Sequence, residues 1–182
     1  SADYKVVKAQ LQEQKFLVKM LLDRQNSLSS LVSLGQEVAA NCDPAEKQSI
    51  ERQMKDLMQR FDYLTEKTQM RTQALEQAMH IAKQFQDKYQ PLNKWLDGAE
   101  KSVKNMELVP TDEEKIQQRI REHERLHDEI LSKKPEFSEL ADIAFELMKI
   151  VGDDEAGGLG EKVKVTTERY TDLVQASENI GL

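Results

Sequence analysis

A single cysteine, Cys42, stands in the whole chain, so no disulfide can form within it, and that usage fits a reducing compartment. Glycine (7) and proline (4) are scarce, which leaves few places to turn and requires long elements. Aromatic residues are only 5%, too few for a large globular core. No apolar run approaches the ~18 residues of a membrane span, and no signal peptide opens the chain. With a net charge of −7, the chain lacks the clustered Lys and Arg that nucleic acid or an anionic membrane surface requires. No useful length alternates with period two, which excludes a sheet. A cytoplasmic, helical protein is expected.

What is present fits long helices that each bury one stripe: 38% hydrophobic and 32% charged residues. Apolar residues recur at steps of three and four, as at Leu21, Leu28, Leu31 and Val38, or Ile50, Met54, Leu57, Phe61 and Leu64. Met54, Met58, Met70 and Met79 are assigned to such seams. Three stretches interrupt the pattern. In "NCDPAEK", Asp43 can cap a helix that starts at Pro44, with Glu46 completing a capping box. In "ELVPTDEEK", Thr111 and Glu114 have the same spacing. "VGDDEAGGLGEK" holds four of the seven glycines and is expected as a loop, with helix from Leu159 onward. Pro91 and Pro135 fall inside helical stretches, and each is expected to bend a helix that runs through it; the rival at Pro91 is a helix that ends near Tyr89 and restarts with the proline in its first turn.

The chain repeats itself. Tyr170 follows Phe61 by 109 residues (170 − 61), and Leu173 follows Leu64 by the same distance. At this offset Ile50 and Met54 fall on Leu159 and Val163, while Val7, Leu11, Leu17 and Leu21 fall on Ile116, Ile120, Leu126 and Ile130. Leu28, Leu31, Leu34 and Val38 fall on Phe137, Leu140, Ile143 and Leu147. The loop "NCDPAE" lands on the sequence around Gly152 without a gap. Each unit is thus a long helix, a loop and another helix. A further helix, holding Trp95, precedes these elements only in the second unit. Units of this kind stack so that each touches its neighbours.

A three-helix unit of this period resembles the spectrin repeat, with Trp95 in the place of that family's buried tryptophan and Phe61 and Tyr170 at the aromatic position of its third helix. "DPAEKQSIERQMKDLMQRFDYL" and "ALEQAMHIAKQF" are similar to repeats of spectraplakins, the large cross-linkers of actin and microtubules. The resemblance implies an all-α fold of tandem three-helix coiled-coil bundles. Residues 1–78 would be a partial repeat of two helices and residues 79–182 a complete one, joined by a continuous helix. It implies a structural core of Trp95, Phe61, Leu64, Tyr170 and Leu173. It also implies a spacer role in a cytoskeletal protein whose other domains bind the filaments, with neighbouring repeats as the immediate partners.

Few motifs suggest chemistry. "HERLH" matches H-E-x-x-H, in which His123 and His127 would ligate zinc and Glu124 act as general base. No third ligand stands out, His80 being the only other histidine, so structural histidines are expected, with no catalytic, cofactor or metal site. "GDDEAGGLGEK" has neither the spaced acids of a calcium loop nor the G-K-[ST] of a phosphate loop. Cys42 reads as a loop thiol. Beside the spacer stand two alternatives, a docking platform for a signalling or junctional protein and, more remotely, a zinc protease. The two-helix unit should leave a seam of Val7, Leu11, Leu21, Leu28 and Phe61 partly open, which would favour some self-association.

Overall fold

A computed structural model describes residues 2–108 and 110–180, with nothing to be said of the side chains of Ala2, Asp3 and Glu155. Five helices follow one another among these residues: α1 (Ala2–Ala40), α2 (Pro44–Met106), α3 (Glu113–Ser132), α4 (Lys134–Met148) and α5 (Asp153–Glu178). No strand occurs among them, and the fold is all-α. Two compact units divide the chain, one of residues 5–79 and one built on residues 80–180.

The helix starts follow from capping chemistry. Asp43 Oδ1 accepts from the Glu46 backbone N–H at 2.9 Å, so α2 begins at Pro44, where a missing N–H costs nothing. At α3 the cap is Asp112, not Thr111; its side chain accepts from the Glu114 N–H at 3.3 Å. A carboxylate complements the helix dipole as well as its donors, and a hydroxyl does not. Val109, in the same stretch, lies outside the described residues. Helix α5 starts at Asp153 rather than near Leu159, so Gly157, Gly158 and Gly160 are helical. Acidic Asp153 and Asp154 favour that terminus, and burial of Leu159 offsets glycine's cost of ~1 kcal/mol per residue. The starts of α2 and α5 are 109 residues apart (153 − 44), so the sequence offset is also a structural one.

The two interior prolines behave differently. Pro91 lies within α2, which continues past it on an exposed face where water is available to the freed carbonyl. Pro135, by contrast, sits in the first turn of α4, after a single non-helical residue, Lys133. The expected through-running helix is there two helices, because the proline's missing N–H costs nothing in a first turn.

In the C-terminal unit, α2 from His80 on, the α3–α4 pair and α5 form a three-helix bundle. Its buried residues keep coiled-coil steps: Leu92, Leu96, Ala99 and Val103 on α2, then Ile130, Phe137, Leu140, Ala144 and Leu147 on α3 and α4. Helix α5 contributes Leu159, Thr166, Tyr170, Leu173 and Ser177. Arg119 covers the end of α2, its Nη1 donating to the carbonyls of Asn105 (3.0 Å) and Leu108 (3.2 Å).

The N-terminal unit is an antiparallel pair, α1 against the first part of α2. Gln14 Nε2 donates to the Thr68 carbonyl at 3.1 Å, and Met54 fills the space in front of Gly35. The stripe of α1 turned to α2 includes buried Val7, Leu11, Gly35 and Ala39, with Val18, Leu21, Leu28 and Val32 half-buried.

Candidate functional site

Three aromatic side chains meet in the C-terminal bundle, one from each of α2, α4 and α5. Phe137 is the middle member. Its ring stacks on Tyr170 with centroids 4.4 Å apart and meets Trp95 at 6.2 Å. Tyr170 is buried, and its hydroxyl donates to the Ile130 carbonyl at 2.6 Å; desolvation raises its pKa. Leu173 is buried one turn further on. Trp95 is half-buried: its Nε1–H reaches Glu129 Oε1 at 2.9 Å, and Lys133 Nζ lies 5.5 Å from its ring centroid. An indole needs a partner for its N–H, so a position at the bundle edge, with one face packed and the N–H on a carboxylate, suits it.

The remaining assigned core residues belong to the N-terminal unit and are not enclosed. Phe61 is half-buried, and Leu64 is 53% exposed. Leu64 lies on the flank of α2 that α1 does not reach. Met58 and Met70, assigned to seams, are exposed as well. Phe137 was not singled out by the sequence as a core residue. Its only signal is its place at the 109 offset from Leu28.

Arg169 of α5 is a second residue the sequence reading missed. Its Nη1 donates to Asn93 Oδ1 (2.7 Å), its Nη2 to Asp97 Oδ1 (2.7 Å) and to Glu100 Oε1, and its Nε also to Glu100 Oε1 (3.1 Å). One guanidinium therefore spans two turns of α2, a geometry its planar fork allows and a lysine does not. Partial burial alone would lower its pKa, but the bonds to Glu100 and Asp97 outweigh that and raise it. Lys88 of α2 adds a cross-helix pair with Glu139 at 2.7 Å.

The zinc-protease motif is engaged in packing. His123 Nε2 lies 2.7 Å from the Ser177 carbonyl, to which it must donate, and His127 Nδ1 lies 2.9 Å from Ser177 Oγ. Ser177 is fully buried, so the two histidines fasten the end of α5 to α3. No group of three or more His, Cys, Asp or Glu residues among those described could hold a metal. Ser177→Ala should cost the C-terminal unit about 1 kcal/mol, read as a lower denaturation midpoint, because the His127 nitrogen loses its partner. The same preparation should carry no zinc; one zinc per chain, lost in His123→Ala, would overturn this reading of "HERLH".

Cys42 is half-buried in the α1–α2 turn. Desolvation pushes its thiol pKa up, and the Glu46 and Asp43 carboxylates push it further, which disfavours the reactive thiolate. No described helix is long and apolar enough to cross a membrane.

The N-terminal unit leaves a long apolar flank open, but not along the expected residues. Val7 and Leu11 are buried, and Leu21, Leu28 and Phe61 are half-buried, because they form the stripe between the two helices. The open flank is the neighbouring stripe at heptad steps: Leu17, Met20, Leu31, Leu34 and Val38 on α1, with Leu57 and Leu64 on α2, each 39–57% exposed. A groove of about 650 Å³ also lies between α1 and α2, lined by Val32, Ala39, Met54 and Met58.

Comparison with known proteins agrees with this architecture. The family described as "Desmoplakin-like, Spectrin domain" matches residues 42–158, and the family described as "Spectrin repeat" matches residues 1–77. Human microtubule-actin cross-linking factor 1, isoforms 6/7, is 34% identical over 177 residues, 97% of this chain and 5% of the human protein. The rat microtubule-actin cross-linking factor 1 is 34% identical over 173 residues, 95% of this chain and 3% of the rat protein. The chain thus spans about a twentieth or less of these relatives. No solved structure matches. With bundle, offset and family in agreement, this chain belongs to the spectrin-repeat family, and the spectraplakin microtubule-actin cross-linking factors are among its relatives.

Proposed function

We propose that this chain is a structural spacer segment of a cytoskeletal linker protein, without enzymatic activity, in which residues 1–78 are part of one repeat and residues 79–182 a complete one. The observation that carries this reading is the 63-residue helix α2, which belongs to both units without a break. A tensile load entering one unit passes into the next along a hydrogen-bonded backbone rather than through a loop. Filament binding, and with it a place on the cytoskeleton, would come from other parts of a longer protein. That expectation is drawn from relatives named as microtubule-actin cross-linking factors. Single-molecule stretching between the termini is the test. The complete repeat should unfold in one cooperative step, with a contour gain set by ~3.5 Å per released residue. Extension without any force peak would sink the spacer reading.

A second reading, docking of a partner, is favoured by one specific feature: the open apolar flank of the N-terminal unit.

A further inference from the structure

We propose that Thr111, in the loop between α2 and α3, is a phosphorylation site for a serine/threonine kinase that selects acidic residues after its acceptor. The site is independent of the spacer and docking readings above and requires neither of them.

Accessibility singles out this hydroxyl. A kinase cleft takes an extended segment, and a helix cannot enter it without unfolding. Among the described residues, every serine and threonine except Thr111 lies within a helix. The loops before α2 (residues 41–43) and before α5 (residues 149–152) contain no hydroxyl residue at all. Thr111 is exposed. Its hydroxyl makes no hydrogen bond among the described residues, because Asp112 caps α3 in its stead. That cap bond is long, 3.3 Å against roughly 2.7–3.2 Å for a good N–H···O bond, so the first turn of α3 opens at little cost. The residues just after Thr111 can therefore extend into a cleft while the rest of the bundle stays folded.

The flanking charges set the kinase class. Asp112, Glu113 and Glu114 follow the acceptor at its next three positions, and the four residues before it are Glu107, Leu108, Val109 and Pro110. A kinase that reads basic residues ahead of its acceptor finds none here, and one that requires proline directly after it meets Asp112. A substrate cleft lined by cations is the one these acids fit. The step itself is a phosphoryl transfer from ATP. Thr111 Oγ1 attacks the γ-phosphorus, and the Oγ1–P bond forms as the bond to the β,γ-bridging oxygen breaks. ADP leaves, and the hydroxyl proton passes to the catalytic base of the kinase. The product carries about 1.5–2 additional negative charges at pH 7. A hollow of about 450 Å³ borders the neighbouring Pro110 and is lined by Lys115, Arg119 and one acid, Glu122. Its two cations offset part of the charge that the phosphate brings.

The test incubates the full folded chain with a purified serine/threonine kinase of this acidic-directed class and ATP labelled in its γ-phosphate. Mass spectrometry of peptides then locates the label. One phosphate per chain, on Thr111, is expected. Thr111→Val should remove it and leave the helical circular dichroism unchanged. Glu113→Gln with Glu114→Gln should slow the labelling of Thr111 at least about tenfold, since the charges that the cleft reads are gone. This double variant keeps Asp112 and with it the cap of α3, so a slower rate reports recognition rather than a displaced helix. A native chain that takes up no label would overturn the proposal. So would label that persists in Thr111→Val, or a rate at Thr111 that is indifferent to the two glutamines.

Discussion

Leu140→Ala is expected to destabilise the C-terminal unit by about 2–5 kcal/mol, whereas Leu31→Ala, at the matching position, should change stability by no more than ~0.5 kcal/mol. Leu140 is 1% exposed, and Leu31 is 45% exposed. The side chains are identical and both lie on a helix one loop before the next, of 39 residues for Leu31 and 15 for Leu140; the main difference is that a third helix covers Leu140. In the C-terminal unit the truncation removes a side chain from a three-helix core and leaves a cavity whose walls cannot fully close. In the N-terminal unit water already reaches the leucine, so little burial is lost. The single tryptophan, Trp95, reports denaturation of the C-terminal unit by fluorescence, and circular dichroism reports the helices of both. Equal losses at the two sites would mean that Leu31 is covered in solution and that the open flank does not exist.

This contrast also marks where sequence reading stops. Helix positions were legible because they depend on local chemistry: Asp43 before Pro44 starts a helix in any context. The one-residue error at Thr111 arose because a hydroxyl and a carboxylate stand side by side and both can cap. The repeat was legible because offset and loop agree without a gap. Which of two adjacent stripes on α1 faces α2 was not legible. Leu21 and Leu28 belong to one and Leu31, Leu34 and Val38 to the other, and both keep apolar residues at heptad steps because a bundle helix has two neighbours. The apolar pattern alone therefore points to the first stripe as the open seam, although the helix pairing covers most of it. Leu64 is exposed for the same reason: its counterpart Leu173 is buried in a three-helix bundle, whereas two helices are described around Leu64.

Among single truncations in the bundle, Phe137→Ala should have the largest effect, about 3–5 kcal/mol. Phe137 is 5% exposed and, among the described residues, is the only one in ring contact with both Trp95 and Tyr170. Its removal takes away a large buried surface together with two aromatic contacts, each worth about 0.5–1.5 kcal/mol beyond the area. Its location sharpens the loss. Lys133 and Pro135, at the break between α3 and α4, lie just before it, so no continuous helix there restrains the backbone when the ring is gone. Trp95 should register the change directly, with its emission shifting to the red in the folded protein as water replaces the phenyl ring. Leu28→Ala, at the corresponding position of the N-terminal unit, removes a half-buried side chain and should cost about 1 kcal/mol without altering Trp95 emission. If Phe137→Ala instead left both the midpoint and the Trp95 spectrum unchanged, Trp95 and Tyr170 would not be joined through this ring, and the placement of α4 against α2 and α5 would be wrong.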